Sequence, residues 1–194
     1  MVAVAEITHN SPILADLPRL IEEAQGVIGS LYGHAKARIQ ARVTAERKLS
    51  GHLIEREQHA VHGLAWLATY DAVLRELSAY AARLTASQKF GEMEQLLIQI
   101  AAGEYLNQIA GGIPMNQAEF ARLADLGLTR SDLAALDRPP VQALMISGNT
   151  AAARARLVQL MIAARGASTF GDCGLDDTMD EMRTSMRRFV EAKV

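Results

Sequence analysis

The sequence predicts an all-α fold: an antiparallel helical bundle of three to four long helices, followed by short C-terminal helices. Three observations carry this expectation. Residues 17–43, 55–84 and 92–111 repeat apolar side chains at helical spacing, and no segment alternates with the period of a strand. Apolar residues make up 49% of the chain but aromatic ones only 5%, an Ala/Leu/Ile/Met composition that suits packed helices better than a sheet. The breaks between the long segments are short, which makes consecutive helices antiparallel neighbours.

Residues 1–10 read as a flexible tail. Asp16 before Leu17-Pro18 reads as an N-cap with proline in the first turn. A helix is expected from there to about Val43, with Leu17, Leu20, Ile21, Ala24, Val27, Ile28, Leu31 and Ala35 inward. Gly26, Gly29 and Gly33 weaken it by about 1 kcal/mol each relative to alanine, a cost that close approach of a second helix would justify. They form no GxGxxG turn after a strand, so a dinucleotide site is a poor reading. Residues 44–50 are polar, either a turn or more helix, and Ser50-Gly51 breaks the chain before the central element.

That central element, residues 55–84, organises the rest. Val61, Leu64, Ala65, Ala68 and Ala72 form one apolar stripe; Leu67, Tyr70, Leu74, Leu77, Ala81 and Leu84 form another. Two stripes predict a helix packed on two sides. Glu55 and Glu57 near its start and Arg75 and Arg83 near its end suit the helix dipole.

A third helix is expected over about 92–111, apolar nearly all round, with Ala101-Ala102-Gly103 as a patch where a partner backbone comes close. Gly111-Gly112 and Pro114 stop it. Asn116 with Glu119 fits a capping box and predicts a short helix through Leu123, closed near Gly127. Further short helices are expected over 129–136 and 141–146. Another is expected from Thr150 to about Ile162, using Ala153, Leu157, Leu160 and Met161. Residues 165–174 read as a linker. A last helix from about Asp177 carries Met179, Met182, Met186, Phe189 and Val190 on one stripe and runs to Val194 without a stop signal. The expected organisation is a tail (1–10), a bundle (11–128), short helices and linker (129–170), and a terminal helix (171–194).

A formal charge of −2 gives no reason to expect nucleic acid or an anionic membrane as partner. The basic cluster Lys36, Arg38, Arg42, Arg47 and Lys48 reads as a solvated helix face. Cys173 is the single cysteine, so no internal disulfide forms, which fits the cytoplasm. The first residues lack the basic and long apolar regions of a signal peptide, and no segment is apolar enough to span a bilayer.

Four residues carry potential chemistry. Glu55, His59 and His62 share part of a helix face, and neutral imidazoles three apart are able to ligate zinc or iron. The Glu-x-x-His pattern of di-iron bundles is missing, because Arg56 stands three before His59, and HExxH is absent. The alternative is that these histidines satisfy hydrogen bonds beside the bundle. Glu104, in the most apolar helix, is either a buried base with a raised pKa or an ordinary paired carboxylate. Cys173 has no base beside it, Trp66 and the methionines read as core, and no P-loop or GxSxG is present. No residue is assigned as catalytic, cofactor-binding or metal-ligating.

The runs QHAVHGLAWLATYDAVLREL (58–77), GEMEQLLIQIAAGEYLNQIAGGIPMNQAEFARLADLGL (91–128) and FGDCGLDDTMDEMRTSMRRFVEAKV (170–194) resemble an N-terminal extension in a bacterial subgroup of FAD-dependent acyl-CoA dehydrogenases. The methylsuccinyl-CoA dehydrogenases are the nearest subgroup. The resemblance implies that residues 171–194 are the first helix of the dehydrogenase core, with the FAD site, the catalytic glutamate and the acyl-CoA pocket in chain beyond Val194. It implies FAD in the full-length enzyme and none bound by these residues alone. The parent reaction would be α,β-dehydrogenation of an acyl-CoA, methylsuccinyl-CoA to mesaconyl-CoA in that subgroup, with electrons passed to electron-transfer flavoprotein. These residues would then be a structural or interaction domain packing on the dehydrogenase core or on a second subunit of a homo-oligomer. The rivals are an autonomous bundle enzyme or metal-binding protein using Glu55, His59, His62 and Glu104, and a separately encoded adaptor that complements a truncated dehydrogenase.

Overall fold

The computed structural model describes residues 12–165 and 175–193. Among them the fold is predominantly helical, with two very small hairpins. The expected tail, and all of the expected linker but Arg165, fall outside the described residues.

Helix α1, Leu17–Val43, has the expected extent, with Pro18 in its first turn. Asp16 caps it differently from the expectation. Its backbone is left-handed (φ 58°) and its side chain bonds no helix amide; the carboxylate accepts instead from Arg19 Nε. Of the inward stripe, Leu17, Ile21, Ala24, Val27, Ile28, Leu31 and Ala35 are buried, followed by Ile39 and Val43, while Leu20 is half-buried. Residues 44–49 are neither a turn alone nor more helix. Strands β1 (Thr44–Ala45) and β2 (Lys48–Leu49) pair antiparallel across Glu46 and Arg47, both left-handed, the geometry of a tight two-residue hairpin.

The central helix is two. Ser50 caps α2, Gly51–Arg56, by accepting from Leu53 N at 3.4 Å, and the chain then breaks at Glu57 before α3, Gln58–Ala86. Helix α3 packs on one side, not two. Its buried residues are Ala60, Gly63, Leu67, Tyr70, Asp71, Leu74, Ala81 and Leu84, which include the second predicted stripe except Leu77, which is half-buried. The first stripe lies at the edge or outside: Ala65 and Ala72 are exposed, while Val61, Leu64 and Ala68 are half-buried. An alanine stripe offers little surface to hide, so it does not compel a second neighbour.

Helix α4, Glu92–Gly111, matches its expected bounds and ends at Gly112, whose φ of 130° only glycine adopts without strain. Helices α1, α3 and α4 form the antiparallel bundle: the end of α1 (Ile39, Val43) meets the start of α3 (Ala60), and Tyr70 of α3 meets Gln108 near the end of α4. The predicted small patch on α4 does what it was expected to do. A Cβ on Gly103 would lie 2.7 Å from the Leu144 carbonyl oxygen and 3.0 Å from Asn149 N, so the chain at the end of α6 (Pro139–Ser147) lies directly on it. Gly148 completes the contact, since its own Cβ would meet the Gln99 carbonyl at 2.7 Å.

No helix follows Asn116. Strands β3 (Ile113–Pro114) and β4 (Phe120–Ala121) form a second hairpin instead. The side chains that mimic a capping box close its loop: Ala118 N donates to Asn116 Oδ1 at 2.9 Å, and Asn116 Nδ2 donates to Glu119 Oε2 at 2.7 Å. An Asx turn and a capping box share a sequence signature, and here chain reversal at Gly112 selects the turn. Ala121, Leu123, Leu126 and Leu128 then bury themselves against the bundle.

Thr129 caps α5, Arg130–Leu133, in a capping box with Asp132, and the chain tightens to a 3-10 turn over Ala134–Asp137. Thr150 caps α7, Ala151–Ala163, by accepting from Ala153 N at 3.1 Å. Only Ala153 of α7 is buried; Leu157 and Leu160 are half-buried, and Met161 is exposed rather than inward. Helix α8, Asp177–Lys193, begins where expected, with Asp176 Oδ1 accepting from Met179 N at 2.8 Å, and none of its residues is buried. The main core draws on residues from Leu17 to Leu144, and Ile39, Val43 and Ala60 form a second, smaller cluster.

The three glycines of α1 are only partly explained by close approach. A Cβ at Gly29 would touch Asp71 Oδ1 at 3.4 Å, whereas Gly26 and Gly33 face open space. Gly26→Ala and Gly33→Ala will therefore each raise stability by about 0.5–1 kcal/mol in urea denaturation. Gly103→Ala, which drives a methyl into backbone, will lower it by about 1–3 kcal/mol.

Candidate functional site

Polar side chains inside an apolar bundle need partners, so their partners show where chemistry is available. Gln99 of α4 is fully buried. Its Nε2 donates to the Pro12 carbonyl at 2.7 Å and to that of Gly148 at 3.3 Å, while its Oε1 accepts from Leu14 N at 3.0 Å. It pins the segment before α1 to the corner between α6 and α7. Asp71 of α3, also buried, accepts from Arg75 at 2.8 Å and from Gln25 of α1 at 3.3 Å.

A longer chain of hydrogen bonds crosses α3, α4 and the start of α7. Tyr70 Oη donates to Gln108 Oε1 at 2.5 Å, and Gln108 Nε2 donates to Glu104 Oε1 at 2.8 Å. Asn149 Nδ2 donates to Glu104 Oε2 at 2.7 Å, and Arg154 Nε donates to Asn149 Oδ1 at 2.6 Å. Tyr105 meets the Tyr70 ring edge-on at 4.8 Å, and Trp66 meets its other side at 6.4 Å. Burial, then the neighbouring Tyr105 and Glu104, pushes the Tyr70 hydroxyl above its ordinary range. Each oxygen of Glu104 receives an amide N–H, so this carboxylate is an acceptor in a structural relay rather than an open base.

The other candidates lie apart from it and from one another. Glu55 is exposed on α2. His59, on α3, lies between Glu119 of the second hairpin (3.4 Å) and Asp125 (3.7 Å). His62 accepts from Trp66 Nε1 at 3.0 Å, one turn along α3. Among the described residues no three His, Cys, Asp or Glu side chains converge as metal ligands would. Cys173 lies outside the described residues.

The basic cluster is not simply a solvated face. Arg38 donates to the Gly127 carbonyl at 3.0 Å and to Asp132 at 2.6 Å, and Arg42 donates to the Asp125 carbonyl at 3.1 Å. Both clamp residues 122–132 onto α1. Asp132 also accepts from Thr129 Oγ1 and N, and its side chain is 9% exposed. Arg38 first, then Thr129, holds its carboxyl far below the usual aspartate range. Glu92 at the start of α4 forms a two-pronged pair with Arg156 of α7, both contacts 2.6 Å, which lowers its pKa.

Four clefts lined by described residues are surface grooves of about 230–460 Å³. They do not fit a flavin, which needs an enclosed apolar slot and free backbone N–H groups for its phosphates. No flavin-dependent step is assigned to them. No described helix is long and apolar enough to cross a membrane.

The geometry defines an all-α bundle whose polar groups bond to one another, and in sequence the chain matches a fragment of an acyl-CoA dehydrogenase. The relative is the (2S)-methylsuccinyl-CoA dehydrogenase of Cereibacter sphaeroides, 45% identical over 185 residues. The match takes in 94% of this chain and 33% of that protein, so the chain spans about a third of the relative's length. No family model matches the chain.

Two outcomes test these assignments. Tyr70's raised pKa favours the fold below the ordinary tyrosine range, and that stability is lost as pH rises through the folded value. Ultraviolet titration will show one tyrosine ionising late, and Tyr70→Phe will remove that step at a cost of about 1 kcal/mol. Asp132's lowered pKa works in the opposite sense: its stabilisation is present above the ordinary carboxylate pKa, about 3.9, and is lost as pH falls below it. Asp132→Asn will flatten the acid limb of a stability–pH curve measured by urea denaturation.

Proposed function

We propose that this chain is the N-terminal helical packing domain of an FAD-dependent acyl-CoA dehydrogenase, not catalytic by itself. In this reading residues 11–128 form the bundle, 129–170 the short helices and linker, and 171–194 the first helix of the dehydrogenase core. One observation carries the reading: near-complete coverage of this chain by only a third of a dehydrogenase. Glu104, His62 and Asp71 each hydrogen-bond within the bundle, as groups serving its packing would.

The parent chemistry is α,β-dehydrogenation of an acyl-CoA, with methylsuccinyl-CoA the substrate that the relative's name supplies. FAD and electron-transfer flavoprotein serve the full-length enzyme, which works in the cytoplasm as a homo-oligomer. The bundle's own work is mechanical: α4 and α1 hold a rigid block that packs on the core or on a second subunit.

The test uses the purified chain with methylsuccinyl-CoA and an electron acceptor. The expected result is no flavin absorption and no turnover. A stoichiometric flavin, or dehydrogenation of the thioester, would falsify the packing-domain reading. Stoichiometric zinc or iron on metal analysis would favour the rival metal-binding bundle.

A further inference from the structure

Helix α7 is apolar on two opposite sides, and the bundle covers only one of them. Ala153, Leu157, Leu160 and Ala164 recur at helical spacing and turn inward, Ala153 fully buried and the others half-buried. Ala151, Ala155, Val158 and Ile162 recur at the same spacing on the opposite side, and all four are exposed. Val158 is 51% exposed, Ile162 72%, and Met161 beside them 45%. A helix apolar on both sides belongs between two neighbours. This stripe differs from the exposed alanines of α3, because its valine, isoleucine and methionine carry enough apolar surface for the exposure to matter.

The outward side is also presented in a fixed orientation. Thr150 caps the helix, Arg156 grips Glu92 of α4 with two contacts of 2.6 Å, and Arg154 Nε donates to Asn149 Oδ1. No acidic residue lies on α7, so the stripe is apolar with a basic edge at Arg154.

Exposed apolar side chains are not spread evenly along the chain. Of the large hydrophobic residues exposed among those described, only Leu49 and Phe120 precede Ile146; the others follow from the end of α6 through α7 to Val190 in α8. Uncovered apolar surface gathered in this way marks a contact with another folded body. The match takes in only 33% of the relative, and the rest of a dehydrogenase is large enough to be that body. Residues 164–176 join α7 to α8. Whatever α8 belongs to is therefore tethered beside α7 and meets its outward stripe at the high effective concentration of a short linker, an advantage that no separate molecule has.

We infer that the outward stripe of α7 is the surface on which this domain docks against the dehydrogenase core of its own polypeptide. The inference rests on the dehydrogenase reading above and adds the contact surface to it. The core patch that receives α7 is apolar, with an acidic group at its rim facing Arg154.

The test compares the 194-residue chain with the flavin-loaded full-length enzyme, both carrying Cys173→Ser. Val158→Cys will react with a soluble thiol reagent about tenfold more slowly, or slower still, in the full-length enzyme, whereas Glu22→Cys, exposed on α1, will react alike in both. Replacing Ile162 with the photo-crosslinker p-benzoylphenylalanine will join it to a peptide of the core within one polypeptide, at monomer mass on a denaturing gel. A flavoenzyme that labels Val158→Cys as fast as the isolated chain does, or that crosslinks only at dimer mass, overturns the inference and leaves the dehydrogenase reading standing. A full-length protein without flavin fails that reading and the inference with it. Binding of the chain to phosphatidylglycerol vesicles, lost in Ile162→Asp, would assign this face to a membrane and overturn the inference too.

Discussion

The Gly103–Gly148 contact is the constraint on which the rest of the bundle depends. Helix α4 is apolar nearly all round, so it needs neighbours on several sides, and one is the bare backbone at the corner between α6 and α7. Backbone against backbone leaves no room for a side chain. It also places the Gly148 carbonyl within reach of Gln99, which ties the chain entering α1 to the same point. Loss of the contact would separate α4 from α6, and α6 lies across α1 as well. The position of two of the three long helices is thus set at one pair of glycines.

Around that point polar groups do the orienting. Gln99, Asp71 and the relay from Tyr70 to Arg154 make contacts 38 to 87 residues apart in sequence wherever they bridge elements. A buried amide or carboxylate without its partner costs more than a satisfied one gains, so such contacts select one arrangement of helices among many of similar apolar burial. Arg38 and Arg42 extend the same logic to residues 122–132, a mostly irregular segment whose buried apolar side chains are Leu123, Leu126 and Leu128.

Much of this was legible from local signals. Proline after Asp16, Gly112 after a long apolar run, and Thr150 before Ala153 are short-range cues, and the helix bounds they imply agree with the structure. The errors arose where one sequence serves two geometries or where burial depends on distant chain. Asn116 and Glu119 suit a helix start and a hairpin loop equally, and the preceding reversal at Gly112 decides between them. The alanine stripe of α3 and Met161 of α7 carry apolar character without stating whether a neighbour exists. Of the relay, only Glu104 stood out in sequence, because Asn149, which donates to it, lies 45 positions after it, and Tyr70, which reaches it through Gln108, lies 34 before it.

Sulfur is distributed unevenly in this fold. None of the described buried hydrophobic residues is a methionine, although the chain has eight, and three of them lie uncovered along α8. Peroxide converts such thioethers to sulfoxides, which are polar and chiral. Oxidative stress would therefore turn the exposed thioethers of α8, and that of Met161 on α7, polar while the Leu/Ile interior kept its packing.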